Sequence, residues 1–265
     1  MAPALKRIGL IALLALAGLS ALILPARAQG DAWTVLFAQA NQLYEQGRYA
    51  EAAARYEEIV AGGIADGRVY YNLGNAYFKA GQIGKAILNY ERARRLLPRD
   101  DDIRANLSFA QAQVQGGPKL PAAGALSERI GRLVAGSTPN ELAWIAWGMY
   151  LVVVGLGLLA LLSARARRPA LIAAAVAGSL LIAALAGLGA GVYDQEIVDH
   201  AVVVAGPAPV YSGPGQSYML EITLGEGSEV VLEERRGEWC RLRLAGDLQG
   251  WAACESIESV RPAPR

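Results

Sequence analysis

Residues 142–163 and 169–193 contain no charged side chain, and each run is long enough to cross a bilayer as a helix. The first run has 22 residues, about 33 Å at helical rise, against a hydrocarbon core of about 30 Å. Residues 164–168 between them carry three arginines and no acid, whereas the second run leads into Asp194, Glu196 and Asp199. Positive-inside counting makes the arginine turn cytoplasmic and predicts a two-helix transmembrane hairpin with both flanking parts on the outer side. No ionisable group lies inside either run, which argues against ion or proton transport.

The N-terminus points the same way. Lys6 and Arg7 precede a charge-free run over 8–24 and the small-residue site Ala26-Arg27-Ala28. That is the layout of a signal peptide over 1–28, cleaved after Ala28, with an uncleaved anchor as the alternative. Either way the following residues are exported.

Only 18% of the chain is charged and its net charge is +1, so no nucleic-acid partner is expected. An enzyme needs a base and an oriented nucleophile. The single histidine, His200, lies seven residues past the second run and reads as a polar residue at the start of a domain. No catalytic residue, metal site or cofactor is expected.

A repeat occupies 31–114. Gly47 and Gly81, Ala52 and Ala86, and Tyr56 and Tyr90 each stand 34 residues apart. Helical patterns flank each glycine turn. Tyr70, Leu73, Gly74, Tyr77, Gly81, Ala86, Tyr90, Ala93 and Pro98 fall at spacings that resemble the tetratricopeptide repeat. The expectation is an all-α solenoid of two repeats, 33–66 and 67–100, closed by a capping helix from Ile103 to Val114. The first copy is looser, with Ile64 where the family usually has proline. Ten acids balance ten bases between Asp31 and Arg104, so capture of a charged polymer is not expected.

In tetratricopeptide arrays the first helix of each repeat lines a groove that holds extended peptides. The resemblance places Phe37, Asn41 and Tyr44 there in one repeat, and Tyr71, Asn75 and Phe78 in the next. Asn72 and Asn106 stand at equivalent places, giving the pairs Asn41–Asn72 and Asn75–Asn106. An asparagine side chain has two donors and an acceptor, suited to a strand's backbone amides. Phe37 and Tyr71 occupy places where a clamp for a terminal carboxylate would want lysine, so such a terminus is not the expected ligand. The alternative is that these asparagines only bond neighbouring helices.

Residues 115–140 form a Gly-, Pro- and Ala-rich linker in which Leu126, Ile130, Leu133 and Val134 recur at helical spacing, as an interfacial or ordinary linker helix. Beyond the hairpin, residues 198–260 read as an all-β domain with strands expected at Ala201–Ala205, Glu229–Glu234, Trp239–Leu244 and Gln249–Ala253. Val210-Tyr211-Ser212-Gly213-Pro214, Leu224 with Gly227 and Val230, Trp239 with Leu242, and Gly250-Trp251 resemble the bacterial SH3-type barrel. Such barrels often bind peptides or cell-wall material, and the candidate cleft aromatics are Tyr211, Tyr218, Trp239 and Trp251. The alternative is that they only pack the barrel. Twelve acids against six bases between Asp194 and Arg265 make this part acidic. Cys240 and Cys254 fall near each other if the third and fourth expected strands pair, and export permits a disulfide. Two small buried hydrophobes are the other reading.

The order of these parts resembles the BatE family of the bacterial aerotolerance operon, most closely over 70–77 and 84–91. The resemblance implies a bacterial inner-membrane protein with periplasmic repeat and SH3-type domains. It further implies an envelope stress complex with von Willebrand A-type membrane proteins and a MoxR-type ATPase. The expected role is a membrane-anchored, non-enzymatic scaffold. A peptidoglycan-binding protein that recruits a wall enzyme is the competing reading.

Overall fold

Repeating glycine turns set the helical part. In the computed structural model, which describes residues 27–115, 139–244 and 248–261, helices α1 (Arg27–Glu45) and α2 (Tyr49–Ala61) form one hairpin. Helices α3 (Gly67–Lys79) and α4 (Ile83–Leu96) form the second, and α5 (Asp101–Gln111) follows. Gly47 and Gly81 adopt φ of +75° and +80°, the left-handed conformation that ends a helix without a Cβ penalty. The next amide then reaches back in both copies: Arg48 N to Leu43 O at 3.0 Å, and Gln82 N to Tyr77 O at 2.9 Å. Asp66 caps α3 by accepting from Arg68 N at 2.8 Å, and Asp100 caps α5 by accepting from Asp102 N at 3.0 Å.

Small residues let the helices close on one another. Gly74 leaves room for the ring of Tyr90, and Ala52, Ala86 and Ala93 are fully buried. The core also holds Tyr56, Ile59, Val69, Leu73, Ile87 and Leu88.

Helices α6 (Pro139–Leu162) and α7 (Arg167–Glu196) pack against each other as a hairpin. Glu141–Leu162 and Arg167–Gly189 have mean hydropathies of 2.3 and 2.4 and are almost wholly exposed. Leu161, Leu162 and Ile182 face outward at 81%, 86% and 70% exposure. Both helices are long and apolar enough to span a membrane, and an apolar surface of this extent is foreign to water. The arginine turn is shorter than expected, because α7 already begins at Arg167. The signal segment to residue 26 and the linker helix proposed at 126–134 lie outside the described residues.

The C-terminal part is one antiparallel seven-stranded sheet in the order β3-β2-β6-β5-β4-β1-β7. Its strands are β1 (Asp199–Val203), β2 (Ala208–Tyr211), β3 (Leu220–Leu224), β4 (Glu229–Arg236), β5 (Trp239–Arg243), β6 (Gln249–Ala253) and β7 (Ile257–Ser259). Four of these were expected; β2, β3 and β7 were not. The sheet does not close, so a barrel is not what the pairing describes. Alternation places Val203, Val210, Val230, Cys240, Leu242 and Ala252 in its core. Cys240 and Cys254 are joined by a disulfide with Cα atoms 5.0 Å apart. The bond is diagonal: Ala252 stands opposite Cys240, and Cys254 lies one residue beyond β6.

The sheet docks on the repeats through α4. Val202 and Val260 enter the helical core. The Glu226 carboxylate accepts from Gly84 N at 2.8 Å, capping α4 from 142 residues away. Arg92 donates to Ser259 O at 2.8 Å and to Glu258 at 2.9 Å. Glycine is required on both sides of this junction. A Cβ on Gly84 would sit 2.3 Å from Val203 O, and one on Gly227 would sit 2.8 Å from Ile87 and Val114 side-chain atoms.

Candidate functional site: an asparagine-lined groove

With the outer helix α4 covered by the sheet, the open face of the repeats is formed by α1, α3 and α5. Two rungs of the same design cross it. Asn41 Oδ1 accepts from Tyr56 OH at 2.5 Å and from Asn72 Nδ2 at 3.2 Å. Thirty-four residues on, Asn75 Oδ1 accepts from Tyr90 OH at 2.7 Å and from Asn106 Nδ2 at 3.0 Å. Asn106 Nδ2 also donates to Tyr71 OH at 3.0 Å. Each rung therefore joins a first helix, its own second helix and the next first helix.

The phenols stay protonated donors. Burial pushes the Tyr56 hydroxyl up to about 12, with a hydrogen bond from Asn72 opposing the rise and Tyr44 and Glu45 adding to it. Tyr90 is raised further, again by burial first. A protonated phenol with its hydrogen committed fixes which end of each asparagine faces inward. Asn41 and Asn75 enter the rungs through their carbonyl oxygens. Asn72 and Asn106 enter them through Nδ2, as donors.

The expected inward aromatics divide into two groups. Phe37 packs edge-on against Tyr56 at 5.8 Å and Tyr44 edge-on against Tyr49 at 5.1 Å, while Tyr71 is tilted against Tyr90 at 6.1 Å, so much of each ring surface is spent between helices. Phe78 pairs with Phe109 at 5.6 Å, and Phe109 is 61% exposed. Sequence reasoning missed Phe109, although the 34-residue step from Asn75 lands on it. It also missed the two tyrosine hydroxyls. Their 34-residue spacing marks the repeat but not what the hydroxyls bond to.

Asn41, Tyr44, Glu45, Tyr56, Asn72 and Asn75 enclose a depression of about 160 Å³. Small-molecule pockets run about 300–1,000 Å³, so this space suits a single side chain.

On the sheet, Tyr211 and Trp239 meet edge-on at 5.8 Å, both half-buried. Trp251 stands opposite Tyr211 where β2 pairs with β6, and Tyr218 is 51% exposed. Trp251 is 8% exposed with the Arg236 guanidinium 5.0 Å from its ring, and Tyr218 lies over Gly213. Among the described residues, no cluster of three or more His, Cys, Asp or Glu side chains could hold a metal.

A comparison with protein families matches residues 67–100, which are α3, α4 and the turns that bound them, to the tetratricopeptide repeat. No curated protein matches the chain. The matched segment carries Tyr71, Asn72, Asn75, Phe78 and Tyr90.

Proposed function

We propose that the chain is a non-enzymatic, membrane-anchored scaffold that binds an extended segment of a protein partner along the groove of α1, α3 and α5. The observation that supports this reading is the pair of rungs that hold Asn41 and Asn75 by their side-chain oxygens between successive helices. The hairpin of α6 and α7 anchors the scaffold in the bacterial inner membrane, with repeats and sheet on the periplasmic side. The sheet is an SH3-type module docked on the repeats. Its order of parts supports a BatE-like role in an envelope stress complex, with von Willebrand A-type proteins and a MoxR-type ATPase as partners.

Photo-cross-linking in intact membranes tests the groove. Benzoylphenylalanine in place of Tyr44 or Phe78 is expected to cross-link a polypeptide. The same group in place of Arg55 or Glu58, exposed on α2, is expected to give none. Labelling from the α2 positions alone would contradict the groove.

A second reading rests on the Tyr211–Trp239 pair, whose half-buried rings suit a sugar or peptide of the cell wall. In that case purified peptidoglycan sacculi should retain the protein, and Trp239→Ala should release it.

A further inference from the structure

We propose that the depression at the α1 end of the groove is a cation subsite, in which Glu45 holds a lysine or arginine side chain of the extended partner segment. This inference rests on the groove reading above and adds the chemistry of the occupant.

The lining residues Asn41, Tyr44, Glu45, Tyr56, Asn72 and Asn75 bring one carboxylate and no base. Glu45 is also in the wrong place for the fold. It is the last residue of α1, at the negative end of the helix dipole, and no base shares its last turn. Helix ends of this kind favour Lys or Arg and disfavour acid. A residue that opposes its local preference marks a site where something other than folding is served.

The nearest base in sequence does not relieve it. Arg48 is turned away, with its guanidinium on both Glu51 carboxylate oxygens and on Gln46 Oε1. Among the described residues no base forms an ion pair with Glu45. The carboxylate therefore sits exposed beside the dipole's negative pole, and both attract a cation. The half-buried Tyr44 adds an aromatic ring, which an ammonium or guanidinium also favours. The Asn41 and Asn75 amides would hold the partner's backbone carbonyls while Glu45 takes a side chain. The volume of about 160 Å³ admits a side-chain head group and little else.

The test uses the full chain in lipid nanodiscs, panned against a phage-displayed library of random peptides. Selected peptides are expected to share a lysine or arginine and to cross-link to benzoylphenylalanine in place of Phe78. Glu45→Gln should bind such a peptide about twofold to fivefold more weakly, with the difference fading in high salt. Glu45→Lys should prefer the same peptide with its basic residue changed to glutamate. Glu45 is exposed and opposes the helix dipole, so both variants should keep or slightly raise the wild-type melting midpoint. Peptides that cross-link at position 78 but lack a basic residue, or bind Glu45→Gln unchanged, would overturn the subsite and leave the groove standing. If no selected peptide cross-links there, the groove reading falls and the subsite with it.

Discussion

Gly74→Ala tests the close approach that sets up the second rung. A Cβ at residue 74 would lie 2.7 Å from Cδ1 and Cε1 of Tyr90 and 3.3 Å from Ala86 O. Carbon atoms rest at about 3.5–4.0 Å, so the ring must move. It has little freedom to do so, because Tyr90 is 2% exposed and its hydroxyl is held on Asn75 Oδ1 at 2.7 Å. Overpacking of this kind costs about 1–3 kcal/mol. Loss of the hydroxyl's hydrogen bond adds about 0.5–1.5 kcal/mol. Against these, alanine favours the helix by about 1 kcal/mol over glycine. The balance is a destabilisation of roughly 1–3 kcal/mol, confined to α3 and α4. Native-state hydrogen exchange on the detergent-solubilised full chain reads it locally, as lost protection at the amides of both helices. In a Tyr90→Ala background the clash is gone, and Gly74→Ala should be neutral or stabilising by up to about 1 kcal/mol. Stabilisation by Gly74→Ala in the otherwise wild-type chain would refute the packing argument.

The junction makes a pH prediction. Burial, and next the charge of Glu91, hold the Glu229 carboxyl above its ordinary range, while Gln111, Arg94 and His200 pull the other way. A carboxyl raised on folding binds its proton more tightly in the folded state. Its contribution is therefore full below the unfolded value and lost as pH rises through the folded one. Glu229→Gln should flatten that decline in hydrogen exchange at β4, and an unchanged pH profile would contradict it. Gly84→Ala drives a Cβ against Val203 O and should undock the sheet, read as raised exchange at β1 with α3 protection kept. The disulfide closes a loop across a sequence separation of 14, so removing both cysteines should cost the sheet about 3 kcal/mol in chemical denaturation. Peptide mapping without reductant should recover Cys240 linked to Cys254.

Features set by local chemistry were legible in the sequence. Gly47 and Gly81 announce their turns because only glycine takes φ near +75° to +80° easily, and the charge-free runs announce α6 and α7 by length alone. The short strands were not legible. Strand β2 is four residues with a proline in it, β7 is three, and neither carries enough alternation to stand out from a loop. The asparagine pairs could be named from their spacing. What each amide end bonds to depends on Tyr56 and Tyr90, which approach only after the helices pack. The junction was least legible of all, since Glu226 capping α4 joins residues 142 apart and leaves no periodic trace.

The central claim is that Asn41 and Asn75 present their side-chain amides to a bound chain. Side-chain NH2 resonances report this directly, in the full chain in micelles titrated with a library-selected peptide. Asn89, whose Nδ2 is spent on Lys85 O at 2.8 Å, serves as the internal reference. The account predicts that the Asn41 and Asn75 side-chain signals shift and saturate with the binding curve while that of Asn89 stays fixed. Saturating peptide binding with both signals unmoved would contradict it.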